Sequence, residues 1–208
     1  MARHTVYEEH WKRTEFAYSI VFLIPYTSSV LRHLDLFSAD SFHKRSQLPK
    51  IVVWTLVQNT IFRFFLMPSV FRVTILKLFG SSVGNNVKIR RGVRVHFPWN
   101  LRIGNNCWIG EEVWFINHEK IKIGSDVCIS QRSIICSSGH NYRSTSLEYA
   151  HKSIEIKDGV WICFDAKVLP GVSIGECSVV SAGEIVRQSL PNFSLLVGGN
   201  IRPIEPPK

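Results

Sequence analysis

From Val83 onward the chain can be written in sixes, and nearly every six opens on Ile or Val. The register runs VGNNVK, IRRGVR, VHFPWN, then, after Leu101 and Arg102, IGNNCW, IGEEVW and FINHEK. After Ile121 and Lys122 come IGSDVC, ISQRSI and ICSSGH; residues 141–155 break the pattern, and IKDGVW, ICFDAK, VLPGVS, IGECSV and VSAGEI resume it. Phe115 is the aromatic exception at the opening position, Gly often stands second, and a small or apolar residue is usual at the fifth. An aliphatic residue every six positions cannot line a helix face, whose repeat is 3.6 residues. It can line the inside of a coil whose flat sides are short strands, each ending at a tight corner. Three sixes close one triangular coil, and Gly or Asn near each corner tolerates the dihedrals that the turn demands. The two inserted dipeptides recur 20 residues apart, which reads as a matched bulge on consecutive coils. Stacked coils pair their backbones and bury a column of aliphatics, each worth roughly 1.5–3 kcal/mol before the entropy of ordering is subtracted. The spacing leaves the hand of the coil open.

Before Gly80 the period is different. From Trp54 to Phe79 apolar residues are dense and charges sit singly; Pro68 separates two helical segments and Gly80 ends the second. These helices either pack on the following domain or a neighbouring subunit, or form a monotopic patch with Phe and Trp in the lipid interface and Arg or Lys toward headgroups. Residues 1–50 read as one helix and a polar loop ending near Pro49. Asn59, Arg63, Pro68, Arg72 and Lys77 interrupt the apolar region, so no stretch has the 18 or more apolar residues of a spanning helix. Acidic and basic residues crowd the first fifteen positions, which is unlike a secretory signal. The expected division is a helical, apolar extension over 1–80 and a β-coil domain over 81–208, with an extruded loop at 141–155 and a C-terminal cap.

Apolar residues make up 45% of the 208 and charged residues 20%, the balance of a folded globular chain. The net charge of +9 suggests anionic partners, but it is spread as +5 over residues 1–80 and +4 over 81–208, so no basic run points to nucleic acid. Cys107, Cys128, Cys136, Cys163 and Cys177 are odd in number and irregularly spaced, which indicates reduced thiols, neither a disulfide framework nor a zinc knuckle, and a cytoplasmic location.

Residues 81–204 resemble the left-handed parallel β-helix of the hexapeptide-repeat acyltransferases, and are most similar to the colanic acid biosynthesis acetyltransferases. The resemblance rests on "LFGSSVGNNVKIRRGVRVHFPWNLRIGNNCWIG", on "IGSDVCISQRSIICSSGHNY", and on "IKDGVWICFDAKVLPGVSIGE" followed by "VVSAGEIVRQSLPNFSLLVGGN". It implies an all-β fold preceded by helical segments and a homotrimer with sites between neighbouring prisms. The implied reaction moves an acetyl group from acetyl-CoA to a sugar hydroxyl of a cell-surface glycan precursor, with no metal. A histidine ahead of an extruded loop is the base in this family, which marks His140 in "SSGHNY", with Tyr142 following it toward the acceptor.

Acetyl transfer to a hydroxyl needs a base, because a neutral alcohol is a poor nucleophile, and an imidazole titrating near neutrality suits that role. Asn117 is either a sugar-binding amide or a corner Asn accommodating a turn. Trp161 matches the family's aromatic beside the cofactor, Ala182 and Gly183 the small-residue turn along pantetheine, and Arg187 and Arg202 the basic residues near the C-terminal coil. His151 in the loop is expected to face solvent. A metal-dependent hydratase on the same coil would need three converging histidines; His96, His118 and His140 are each 22 residues apart against a coil of 20, so they are expected to drift around the prism without meeting. A non-catalytic β-helix scaffold and an N-acyltransferase acting on an amino sugar are the other rivals. A lipid-linked saccharide acceptor would account for both the charge and an apolar stretch at 51–79 touching the inner face of the membrane.

Overall fold

The computed structural model describes Arg32 and residues 47–206. The sixes become short strands in three parallel sheets. The first coil supplies β1 (Ser82–Val83), β2 (Lys88–Ile89) and β3 (Arg94–Val95), one to each sheet, and later coils add a strand to each in turn. The sheets hold five, seven and five strands. All fourteen residues that open a six, from Val83 to Val180, are buried, including the aromatic Phe115. They join one core running the length of the prism.

Pairing is strictly one coil to the next: Lys88 stands beside Trp108, and Trp108 beside Cys128. The dipeptides are not a bulge. They lengthen the strands in register, pairing Leu101 with Ile121 and Arg102 with Lys122, and Leu101 and Ile121 are added to the core. An in-register pair adds ladder hydrogen bonds where a bulge would break them. At one corner Asn86, Asn106 and Asp126 sit with positive φ, and their side chains bond in a ladder: Asn86 Nδ2 donates to Asn106 Oδ1 at 3.2 Å, and Asn106 Nδ2 to Asp126 Oδ1 at 3.0 Å. Glycine beside this corner is required by proximity, since a Cβ on Gly104 would lie 2.5 Å from the Gly124 carbonyl.

Among the described residues two helices precede the prism, α1 (Leu48–Val57), continued by a wider turn over Gln58–Phe62, and α2 (Ser69–Leu78). Pro49 stands in the first turn of α1, where its missing N–H costs nothing, and Gly80 closes α2 with φ of +98°. The core runs on across residue 80: Trp54, Phe62 and Leu76 join the same buried cluster as the residues of the first coil. Side chains from the helices also satisfy the free backbone edge of that coil. Trp54 Nε1 donates to Val95 O at 2.7 Å, Gln58 Oε1 accepts from Val95 N at 2.6 Å, and Ser69 Oγ accepts from Ile89 N at 2.7 Å. Arg72 is buried and gives its guanidinium to the carbonyls of Phe62, Phe64 and Ile89. The helices thus cap the sheet edges chemically as well as sterically.

Most of residues 1–46 lie outside the described residues, so the helix and loop expected there do too. The chain divides into two compact units: Ser38–Asn141 with Glu148–Lys208, and Met1–Phe37 with Tyr142–Leu147.

Candidate active site

His140 lies where the chain leaves the coil after strand Ile134–Cys136. The departure is pinned by a small antiparallel neck: Ala150 N donates to Gly139 O at 2.8 Å, Asn141 N donates to Glu148 O at 2.8 Å, and His140 bridges Tyr149 between them. A break in the sixes therefore becomes a hairpin base that fixes the backbone of the histidine. The imidazole is exposed, and its ring lies 5.0 Å from that of Tyr149, tilted by 32°.

Behind this pair stand residues that sequence reading did not assemble. The Tyr149 ring lies 4.7 Å from that of His151, which is 5.1 Å from the His118 ring, edge to face. His151 is half-buried, not solvated as expected, and its Nδ1 accepts from Gly139 N at 3.2 Å, which places its own proton on Nε2 when neutral. His118 shares a hydrogen bond with His96 (Nε2 to Nδ1, 3.0 Å), and its Nδ1 lies 3.2 Å from Ser138 Oγ. The expectation that His96 and His118 stay apart is thus corrected: a two-residue offset inside a tight corner is spanned by two side chains on adjacent coils. His140 is linked to them through the Tyr149 and His151 rings. Among the described residues no three His, Cys, Asp or Glu side chains are grouped to hold a metal.

Burial holds His96 below the usual imidazole range. Burial also lowers His151, helped by the charge of His140 and opposed by Glu119. Both shifts favour the neutral form of the ring. The signal that could have flagged His151 was its place two residues after the aromatic Tyr149 at the loop's return.

Asn117 does not serve as a sugar-binding amide. It is fully buried, its Oδ1 accepts from Phe97 N at 3.0 Å, and its Nδ2 donates back to Phe97 O, so both ends clamp one backbone unit of the preceding coil. Tyr142 is 70% exposed, with the Arg143 guanidinium 5.6 Å from its ring centre; both belong to the second compact unit. Trp161 is half-exposed on the outer face, its Nε1 donating to Ser130 Oγ at 3.1 Å.

Ala182, Gly183 and Arg187 come together in a groove of about 590 Å³ that also takes in Gly198 and Gly199. Gly183 has φ of +73° and nothing near its Cβ position, so the backbone there is open to close approach. Arg187 follows strand Ile185–Val186, which is separated from Ile134–Cys136 by Lys167–Val168 alone. The groove and the His140 corner thus share one sheet and lie about two strand spacings, ~10 Å, apart along the axis. Arg202 stands outside the groove, on the terminal strand Asn200–Pro203, paired with Leu195. All five cysteines are free thiols, and burial raises Cys107, Cys128, Cys136 and Cys163 above the usual thiol range.

No family model matches the chain. It is 35% identical over 164 residues to the colanic acid biosynthesis acetyltransferase WcaF of Escherichia coli K12, covering 77% of this chain and 89% of that protein. It is 28% identical to the galactoside O-acetyltransferase of the same organism, over 58% of this chain and 61% of the relative. Among solved structures, the hexapeptide-repeat acetyltransferase VCA0836 of Vibrio cholerae, complexed with acetyl-CoA, superposes with a TM-score of 0.67 at 25% identity, covering 80% of this chain and 90% of that one.

Proposed function

Because the chain belongs to the hexapeptide-repeat acetyltransferases, in the group of the colanic acid biosynthesis enzymes, we propose that it acetylates a hydroxyl of a glycan precursor with His140 as the base. It is an acetyl-CoA-dependent acetyltransferase built on the left-handed parallel β-helix. The observation that carries the reading is the placement of an exposed imidazole at a rigid loop neck, on the same sheet as an open groove with Gly183 and Arg187. The arm of acetyl-CoA runs along the backbone at Ala182 and Gly183, and Arg187 meets a phosphate. Trp161 and Arg202 flank this path without lining the groove, and Tyr142 belongs to the loop beside the acceptor.

The chemistry needs no acyl-enzyme. With both substrates bound, His140 takes the hydroxyl proton as the oxygen attacks the thioester carbonyl. The tetrahedral intermediate then expels the thiolate, and the imidazolium returns the proton to sulfur. Tyr149 packs against the imidazole and holds its plane.

Release of free CoA thiol, followed across a panel of mono- and oligosaccharides, tests the reaction. His140→Ala should lower kcat about 10²–10⁴-fold while calorimetry shows acetyl-CoA still bound. Undiminished turnover in that variant would remove His140 from the mechanism.

The assembly in this reading is a homotrimer, supported by Trp108, Trp161 and Phe164, large aromatic side chains left exposed on the outer faces of the prism; light scattering coupled to chromatography checks it. Its location is cytoplasmic, with peripheral membrane contact through residues 51–79. Support for that contact is the exposed run Phe64, Phe65, Leu66, Val70 and Phe71. Among the described residues no helix is long and apolar enough to cross a membrane.

A further inference from the structure

The outer side of α2 and the first coil enclose a second groove, of about 660 Å³, at the opposite end of the prism from the one lined by Gly183. Its composition is divided. Phe65, Met67, Val70 and Val73 form an apolar side, continuous with the exposed Leu66 and Phe71 on the loop and helix beyond. Arg72, Lys77, Lys88, Arg90 and Arg91 form a cationic side, and Glu111 is the one acid lining the groove, bonded to Arg90 at 3.2 Å and Arg91 at 3.0 Å. The lining charge is therefore five positive against one negative, or +4. Lys77 and Lys88 form no ion pair among the described residues, and Lys88 rests over the Trp108 ring instead. Arg72 is buried with only backbone carbonyls as partners, which places an uncompensated positive charge in the groove wall.

Apolar side chains level with a fixed cluster of cations match the two layers of a lipid surface: acyl chains below, anionic headgroups above. We infer that this groove seats the phosphate headgroup of an anionic phospholipid, with Phe65, Leu66 and Phe71 entering the acyl boundary of the same bilayer. The inference rests on the membrane contact proposed above and adds to it a specific headgroup receptor. A purely apolar contact would bind neutral and anionic bilayers alike; Lys77, Lys88 and Arg90 make the surface selective for charge.

The test is co-sedimentation of the full chain with vesicles of phosphatidylcholine alone and of phosphatidylcholine with phosphatidylglycerol. Binding should require phosphatidylglycerol and weaken as salt rises. Lys77→Ala and Lys88→Ala should each lower the partition coefficient about fivefold, the worth of one basic side chain near an anionic surface, while acetyl-CoA binding and thermal midpoint stay unchanged. Phe65→Ser with Phe71→Ser should weaken binding to the same vesicles. If the lysine variants bind as wild type does, or neutral vesicles are bound equally, the headgroup site is wrong and the apolar contact alone survives. If neither vesicle sediments the protein, the membrane contact itself falls. Concentration-dependent self-association abolished by the phenylalanine pair would assign the face to a second copy of the chain.

Discussion

The prism and the helical cap are both rich in apolar residues, yet they use them in opposite ways. In the prism each aliphatic that opens a six is buried, and most outward positions are polar, charged or aromatic, with Ile134, Val179 and Ile185 as aliphatic exceptions. In the cap only Trp54, Phe62 and Leu76 are fully buried among the large apolar side chains, whereas Val52, Val53, Leu56, Phe65, Leu66 and Val70 are more than half exposed. The cap is the more apolar in sequence, yet it is the period that decides which side chains are buried. A six-residue repeat has one inward position per strand and fills it. The cap's near-continuous apolar sequence gives its helices no polar face, so one side must look outward or meet something else.

The sharpest way to break this contrast is to delete volume from the prism. Ile162→Ala, at a fully buried position in the middle of the stack, should cost about 2–5 kcal/mol, read from the urea midpoint. Next comes the junction. Arg72→Met keeps the length of the side chain but leaves three carbonyls without their donor, and about 1–3 kcal/mol should be lost, with the cap's amides exchanging faster than those of the later coils. A smaller effect is expected from pH. His96 and His151 bind protons less readily folded than unfolded, so their contribution is complete above the ordinary imidazole value and is lost as pH falls through their lowered values. Stability should therefore decline on acidification below pH 6.5; His151→Gln should flatten that slope, and an unchanged slope would mean these rings are not neutral in the folded state. Least of all, Phe65→Ser should alter the midpoint by no more than about 0.5 kcal/mol, because a side chain already 63% exposed has little burial to lose. A large loss there would show that the cap's outer face is packed in the free protein and would erase the contrast.

What could be read from sequence follows the range of the interaction. Val83 to Val180 were legible because each opening residue repeats one local instruction, and the point where the chain leaves the coil, at His140, because the insertion after it interrupts that instruction. Asn117 was ambiguous, since an Asn at a corner looks the same whether its amide faces a ligand or the Phe97 backbone; only its burial decides. The contacts of His118 with His96 and His151, and of Tyr149 with His140, cross coils or the loop neck, and no spacing along the chain encodes them. Nor did the sequence disclose that Trp54, Gln58, Ser69 and Arg72 would hydrogen-bond the first coil, because each also fits an ordinary helix. Hydrophobic period locates a core, but polar partnerships over dozens of residues need coordinates.

The far end of the prism is finished differently. The last strand there, Asn200–Pro203, runs antiparallel to Ser194–Val197 and forms the sheet's outermost edge, where every other pairing in the stack is parallel. A stack of identical rungs has no intrinsic length, and its last rung is a template on which another chain could add itself. Reversing the final strand, and placing Arg202 and the donor-less Pro203 along it, gives an incoming rung the wrong polarity and an incomplete set of partners. Arg202 and Pro203 thereby present a charge and a missing N–H to any strand that approaches this edge.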